Sequence, residues 1–437
     1  MVRSLIRCGD FPRWPVRRPV FSRVRSVLVA AVLVGGSVLA APGATVPRAA
    51  ADPAGEYPDL APVPPMGWND WSYYTCGVTE QDVLANAAAL VRTGLAAKGY
   101  RTVTTDDCWM APQRDAHGDL TADPAKFPHG MAWLGRQLHG MGLRFGIYED
   151  AGTKTCEGFP GSMDHYAQDA ALFARWGVDY VKLDGCNVPT AAGRTKEQTY
   201  RSVYQRMSDA LMATGRPMVF SVSAPAYFQY DGDAVWHQVI GWSGQVGNLW
   251  REGRDIALGS FPADKKWASI TYNYAYNAAL AGLQRPGRWN DPDFLLAGDS
   301  GLTTDEMNSQ MCLWAVMAAP LISSTDLTAL SPAALGVLGN RAVIAVDQDP
   351  LGVQGRVVDQ GQDYAVLVKP LVHGARAVAL FNPGSTPREI TTTVTKAGLP
   401  AGSYEVRDLL TGHRSRTSGV ISATVAPHAT ALLRVGG

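Results

Sequence analysis

From Pro64 to about Ser323 the chain repeats one pattern. A short apolar, β-branched run is followed by a longer stretch with apolar positions three or four residues apart. Tyr100–Thr105 predicts a strand running into Asp106-Asp107-Cys108-Trp109, and Phe127–Leu138 predicts the helix after it. Leu143–Tyr148 and Tyr166–Trp176 form the next pair. Val178–Lys182, ending at Asp184, pairs with the long helix Glu197–Thr214. Pro217–Ser221 reads as a strand ending near Ser223. Trp236–Leu249 reads either way, Ile256–Ala263 as a loop or short helix, and Ala268–Tyr272 as a weak extended run. Arg288-Trp289-Asn290-Asp291 follows a Pro-Gly turn, Asp305–Met317 is helical, and Leu321–Ser324 is a last short strand. Strands spaced by helices pair in parallel through crossovers. About eight such units over roughly 260 residues fit a (β/α)8 TIM barrel of the α/β class. A doubly wound open sheet is the competitor, but no G-x-G-x-x-G follows a first strand, which removes its commonest version.

From Arg356 the period becomes two, in Tyr364–Val368, Ala375–Phe381, Glu389–Val394, Ser403–Leu409 and Ala429–Val435. Turns such as Asn382-Pro383-Gly384 separate the runs. This predicts a small C-terminal antiparallel β-sandwich domain. The tail has no Trp, which argues for support rather than sugar binding. The boundary falls near Asp349–Gly355. The expected layout is 1–50 as a signal peptide with a long basic n-region and a short mature-start linker, 60–350 as the catalytic barrel, and 351–437 as the β domain.

The N-terminal segment carries Arg3, Arg7, Arg13, Arg17, Arg18, Arg23 and Arg25, then the apolar run Val27–Val34 continuing to Ala41. The run is too short for a comfortable membrane span. Secretion with removal of this segment is therefore expected, and the mature form is expected to be off the membrane. Lys plus Arg and Asp plus Glu are 39 each. A balanced charge gives no electrostatic drive toward nucleic acid. The 12 Trp, 16 Tyr and 11 Phe argue against disorder. Beyond the removed Cys8, export leaves Cys76, Cys108, Cys156, Cys186 and Cys312. Four can form two bridges, and Cys312, inside an apolar helical pattern, reads as a buried free thiol.

Several chemistries are disfavoured. There is no Gly-x-Ser-x-Gly elbow, no His-Glu-x-x-His and no CxxC pair, and no His lies at a confident strand end. What the chain offers is carboxylates beside aromatics: Asp70 by Trp68 and Trp71; Asp106 and Asp107 by Trp109; Asp255 by Trp250; Asp291 and Asp293 by Trp289. Asp106, Asp107, Tyr148, Asp184 and Asp293 fall at or just past strand ends, where a barrel builds its substrate site. Glycoside hydrolysis needs two such carboxyls flanking one bond.

Longer segments carry a resemblance. Pro64-Pro65-Met66-Gly67-Trp68-Asn69-Asp70-Trp71, Asp106–Asp115, Lys154–Ser162, Gly177–Cys186 and Trp289-Asn290-Asp291-Pro292-Asp293 resemble glycoside hydrolase family 27 of clan D. This is the α-galactosidase and α-N-acetylgalactosaminidase family, and the resemblance runs from about Pro62 to the C-terminus. It implies a barrel with a C-terminal β domain, exo-acting removal of a terminal α-linked sugar with net retention, and no metal or organic cofactor. By the same resemblance Asp184 is the nucleophile and Asp255 the acid/base, with Glu252 and Asp233 as local rivals of Asp255. Asp106 and Asp107 would accept from the 4- and 6-hydroxyls, and Lys182 would donate to the 3- and 4-hydroxyls. Trp71 would form an apolar wall, Tyr148 would orient Asp184, and Arg251 and Asp293 would surround C2 and C3. Phe294, where the family often has Met, is expected to matter little. The implied disulfides are Cys76–Cys108 and Cys156–Cys186.

The substrate reading turns on Ser221-Val222-Ser223-Ala224-Pro225-Ala226-Tyr227. The resembled α-galactosidases carry a Glu at the place of Ser223 and a bulky residue near Ala226. The α-N-acetylgalactosaminidases carry small Ser and Ala, which leave room for a 2-acetamido group, and Tyr227 fits that version. The expectation is therefore hydrolysis of terminal α-linked N-acetylgalactosamine by double displacement with two Asp. The alternative is release of terminal α-D-galactose and, less favoured, β-L-arabinopyranosidase action. A sugar-binding relative without catalysis would need one of Asp184 or Asp255 replaced. The expected partners are galactose-type sugars on oligosaccharides or glycoconjugates, with monomer and homodimer both open.

Overall fold

The computed structural model describes residues 56–437. The N-terminal targeting segment expected over 1–50 lies outside the described residues. Eight short parallel strands form the first sheet: β1 Met66–Asn69, β2 Thr102–Thr105, β3 Arg144–Asp150, β4 Tyr180–Asp184, β5 Val219–Val222, β6 Leu249–Arg251, β7 Trp289–Asp291 and β8 Leu321–Ser323. They lie in the order β7-β6-β5-β4-β3-β2-β1-β8. The two ends meet one step beyond β7. There Leu295 donates its N–H to Ile322 at 2.8 Å and accepts from Ser324 at 3.1 Å, which closes the barrel.

Helices follow the strands, and several start where the sequence supplies side-chain caps. Thr79 with Asp82, Thr195 with Gln198, and Thr303 with Glu306 form reciprocal capping boxes, each satisfying first-turn donors. Two of the expected elements change. Ala268–Tyr272 is not a strand but the middle of the helix Ala263–Ala278. Its local β propensity gives way because Trp267, Ile270 and Tyr274, spaced three and four apart, bury one helical face. Trp236–Leu249 resolves into the helix Asp233–Val246 and the start of β6. Ile256–Ala263 is mostly loop.

The tail holds β9 Arg356–Gln360, β10 Ala365–Pro370, β11 Arg376–Phe381, β12 Arg388–Thr393, β13 Tyr404–Asp408, β14 Arg414–Thr417, β15 Val420–Val425 and β16 Thr430–Val435. A six-stranded sheet, β14-β13-β16-β11-β10-β9, faces the pair β12-β15. Val366, Val368, Val378 and Leu380 fill the sandwich, with Ile390, Ile421 and Val425 opposite. The alternate residues Ala365, Leu367, Ala377, Ala379 and Phe381 join the barrel core instead. Burial on both faces explains why β10 and β11 read as nearly continuous apolar runs. The same packing encloses the helix Thr304–Met317, whose residues Met311–Met317 are buried all round. Cys312, in that helix, is the free thiol among the described cysteines and is buried. Among the described residues no helix is long and apolar enough to cross a membrane.

Candidate active site

The C-terminal ends of the strands surround a cavity. Trp71, Asp106, Asp107, Tyr148, Lys182, Asp184, Arg251, Asp255 and Asp293 line it, together with Ser72, Cys156, Ile256, Leu258 and Phe294. Nine residues named from the sequence thus converge on one surface. Ser223, Ala226 and Tyr227 do not line it.

The floor is built by β1, β2 and β4. Lys182 points inward and donates to Asp106 Oδ2 at 2.7 Å, and Asn69 Nδ2 donates to the same oxygen at 2.6 Å. Asp106 Oδ1 accepts the Asp107 N–H at 3.0 Å, and the Asp106 N–H reaches Asp70 Oδ1 at 2.7 Å. Asp107 is held by the N–H groups of Cys108 and Glu157, at 2.7 and 3.0 Å. Burial pushes the Asp107 carboxyl up to about 6. Burial works against the Lys182 charge, but Asp106 and Asp184 outweigh it and keep this lysine above its usual range. Its ammonium also lies 5.1 Å from the Tyr148 ring centroid and 5.4 Å from that of Phe294. Phe294 therefore takes part in the wall and steadies Lys182.

Asp184 is the last residue of β4. Its Oδ1 accepts the Gly185 N–H at 3.0 Å and the Tyr227 hydroxyl at 2.5 Å, and among the described residues no hydrogen bond reaches Oδ2. Burial raises its carboxyl, against the pull of Lys182 and of the Tyr227 hydrogen bond. The orienting tyrosine is thus Tyr227. Tyr148 is in the wall, but its hydroxyl donates to Cys156 Sγ at 3.2 Å, because its place within β3 aims it at the disulfide. Tyr227 stands on the short 3-10 turn Ala224–Phe228 after β5.

Asp255 occupies the rim, its side chain 79% exposed. Arg251, on β6, links it to Asp293, with contacts of 3.1 Å to Asp255 Oδ1 and 3.0 Å to Asp293 Oδ2. Asp293 Oδ2 also accepts the Ile256 N–H at 2.8 Å, which anchors the loop bearing Asp255. Burial lifts the Asp293 carboxyl to about 6. Asp293 has φ 78°, a left-handed conformation that a non-glycine residue keeps only when its surroundings fix it. The rivals of Asp255 are elsewhere. Glu252 is buried away from the cavity, and Asp233 heads the helix Asp233–Val246.

Both disulfides are formed, Cys76–Cys108 and Cys156–Cys186. Each ties a loop of the cavity to the strand end beside it. Trp68 and Trp109 are core residues with no exposure, and their indoles donate to Thr325 and Tyr148 carbonyls. The sequence reading named Asp70 as a carboxylate beside Trp68 and Trp71 but missed Asn69 and Asp150, buried polar groups at strand ends. Their position after β1 and β3 was the available signal.

The chain is similar to known proteins over both domains. A family model described as Alpha galactosidase A matches residues 63–349, and one described as Alpha galactosidase C-terminal beta sandwich domain matches 361–435. A probable alpha-galactosidase A of Aspergillus niger is 42% identical over 384 residues, covering 87% of this chain and 71% of that protein. An alpha-N-acetylgalactosaminidase of Gallus gallus is 39% identical over 367 residues, covering 81% and 87%. The crystal structure of alpha-galactosidase I from Mortierella vinacea superposes with a TM-score of 0.78 at 31% identity, covering 86% of this chain and 97% of that one.

Proposed function

The chain belongs to glycoside hydrolase family 27, the α-galactosidase and α-N-acetylgalactosaminidase family, and on that premise we propose that it is a retaining exo-α-galactosidase with Asp184 as nucleophile and Asp255 as acid/base. The observation that carries the assignment is the contrast between the two carboxyls lining one cavity. Asp184 is oriented through Oδ1 by two donors, and its Oδ2 is left for C1 of the sugar. Asp255 stands at the open rim, where a leaving group departs. One carboxyl held facing the cavity and a second at its mouth are the pair that double displacement requires.

In this reading the terminal sugar enters ring first. Asp106 and Asp107 accept from its 4- and 6-hydroxyls, Lys182 donates to the 3- and 4-hydroxyls, and Trp71 covers an apolar face. Arg251 and Asp293 hold the C2–C3 edge. Asp255 gives a proton to the glycosidic oxygen while Oδ2 of Asp184 bonds to C1. Loss of the nucleophile's charge in the covalent intermediate then favours Asp255 as base for the incoming water. The floor is buried and Asp255 stands at an open rim, in keeping with exo action. The basic and apolar start of the chain, with two disulfides, supports export.

Galactose is favoured over N-acetylgalactosamine by two things. Ser223 is buried, and neither it nor Ala226 is among the residues lining the cavity. The identity to the Aspergillus α-galactosidase also slightly exceeds that to the Gallus α-N-acetylgalactosaminidase. The small side chains of Ser223 and Ala226 are the observation that keeps the N-acetylgalactosamine reading as the second one. The test is kcat/KM for p-nitrophenyl α-galactoside against p-nitrophenyl α-N-acetylgalactosaminide. Galactose should lead by about tenfold or more, about 1.4 kcal/mol of discrimination. An equal or reversed ratio replaces the first reading with the second.

A further inference from the structure

Asp150 ends β3 in register with Asp184 at the end of β4, and it is wholly buried. Its carboxylate is divided between two loops. Oδ1 accepts the N–H of Gly152 at 2.6 Å, in the loop after β3, and Oδ2 accepts the N–H of Cys186 at 2.8 Å, in the loop after β4. The Cys156–Cys186 disulfide joins the same loops, and the Thr153 N–H donates to the Asn187 carbonyl at 3.1 Å. The charges that act most on Asp150 are those of Asp184 and Asp107, both negative. Placing one buried carboxyl beside another is costly, so the pair of acceptors it offers must serve a placement that an apolar residue would not give.

That placement is the Gly185–Cys186 peptide. Its N–H is held by Asp150, and its carbonyl accepts the Tyr200 hydroxyl at 2.7 Å. Gly185 has no side chain to fix the turn, and a Cβ there would press on Tyr204 and Tyr200. With the peptide held at both ends, the preceding Gly185 N–H is aimed at Asp184 Oδ1. We infer that Asp150 is a positioning residue for Asp184: with Tyr200 it clamps the Gly185–Cys186 peptide, which secures Oδ1 and leaves Oδ2 facing the sugar. The inference rests on the reading of Asp184 as nucleophile.

The experiment measures covalent trapping of the enzyme by an activated, fluorinated α-galactoside, with the label located by peptide mapping and the rate expressed per titrated site. Asp150→Asn keeps the size of the side chain but turns an amide N–H toward one of the two N–H donors. Its trapping rate should fall tenfold or more, with the saturation constant changed less than threefold. Tyr200→Phe removes the other end of the clamp and should lower the same rate several-fold. The double variant should lose less than the product of the two single losses, because both act on one peptide. A merely structural role would reduce the number of titrated sites and leave the rate per site intact. A rate per site within twofold of wild type in Asp150→Asn overturns the inference, as it does in Tyr200→Phe if the first variant fails to fold. Label absent from Asp184 in the wild-type enzyme would instead overturn the nucleophile assignment.

Discussion

The Tyr227 hydroxyl donates to Oδ1 of Asp184 at 2.5 Å, joining the turn after β5 to the end of β4. Burial and the charge of Asp184 raise the Tyr227 hydroxyl well above its usual range, so it remains a donor. A hydrogen bond to a charged acceptor contributes about 1.5–3 kcal/mol. Tyr227→Phe should therefore lower kcat by roughly ten- to a hundredfold with KM changed only a few-fold. The bond favours the ionised form of Asp184. Its loss should move the acidic limb of kcat/KM to higher pH, and an unmoved or lowered limb would show that Tyr227 does not act on this carboxyl.

Asp184→Asn should abolish nearly all turnover while the protein still melts cooperatively, since an amide cannot form the glycosyl ester. Asp255→Asn should behave differently. A phenolate that is already stable needs little protonation, so the loss should be greatest for alkyl or sugar leaving groups and least for dinitrophenyl. A series of aryl and sugar aglycones checks this, and an equal loss across the series would remove Asp255 from the acid role.

The pH dependence of stability follows from buried carboxyls. Burial raises Asp107 and Asp293 to about 6 and Asp299 to about 7, against roughly 3.9 for a free Asp. A carboxyl with a raised folded pKa binds its proton more tightly in the native state. Its contribution to stability is therefore full below the unfolded value and is lost as pH rises through the folded one. Calorimetry should show Tm falling by several degrees between pH 5 and pH 8, and a steady rise over that window would contradict these burials.

Most of the barrel was legible because its strands are short β-branched runs set between capped helices, as with Thr102–Thr105 and the helix Tyr166–Trp176. Asp106, Asp107 and Asp184 were legible for the same reason, since a strand end in this fold is a site position. What escaped depends on direction and on long-range packing. Tyr148 and Tyr227 are both near Asp184, and only the aim of each side chain decides which one touches it. Phe294 reaches the cavity through the left-handed turn at Asp293. Ala268–Tyr272 is helical because of what Trp267 and Tyr274 pack against. β14, the exposed edge strand Arg414–Thr417, is polar throughout and gives no periodic signal.

The disulfide between Cys156 and Cys186 closes 30 residues of chain between the loops beside Asp184. A loop of that size corresponds to about 3–4 kcal/mol of unfolded-state entropy. Replacing both cysteines by Ser should lower Tm and also lower kcat, because Cys156 lines the cavity. Unchanged Tm and turnover would mean that the hydrogen bonds between these loops suffice without the bridge.

The central claim is that Asp184 attacks C1 and a second displacement restores the configuration. Proton NMR of p-nitrophenyl α-galactoside hydrolysis, recorded before mutarotation, tests it most directly. α-Galactose should form first, with the β anomer accumulating only as mutarotation proceeds. β-Galactose as the first product would contradict it.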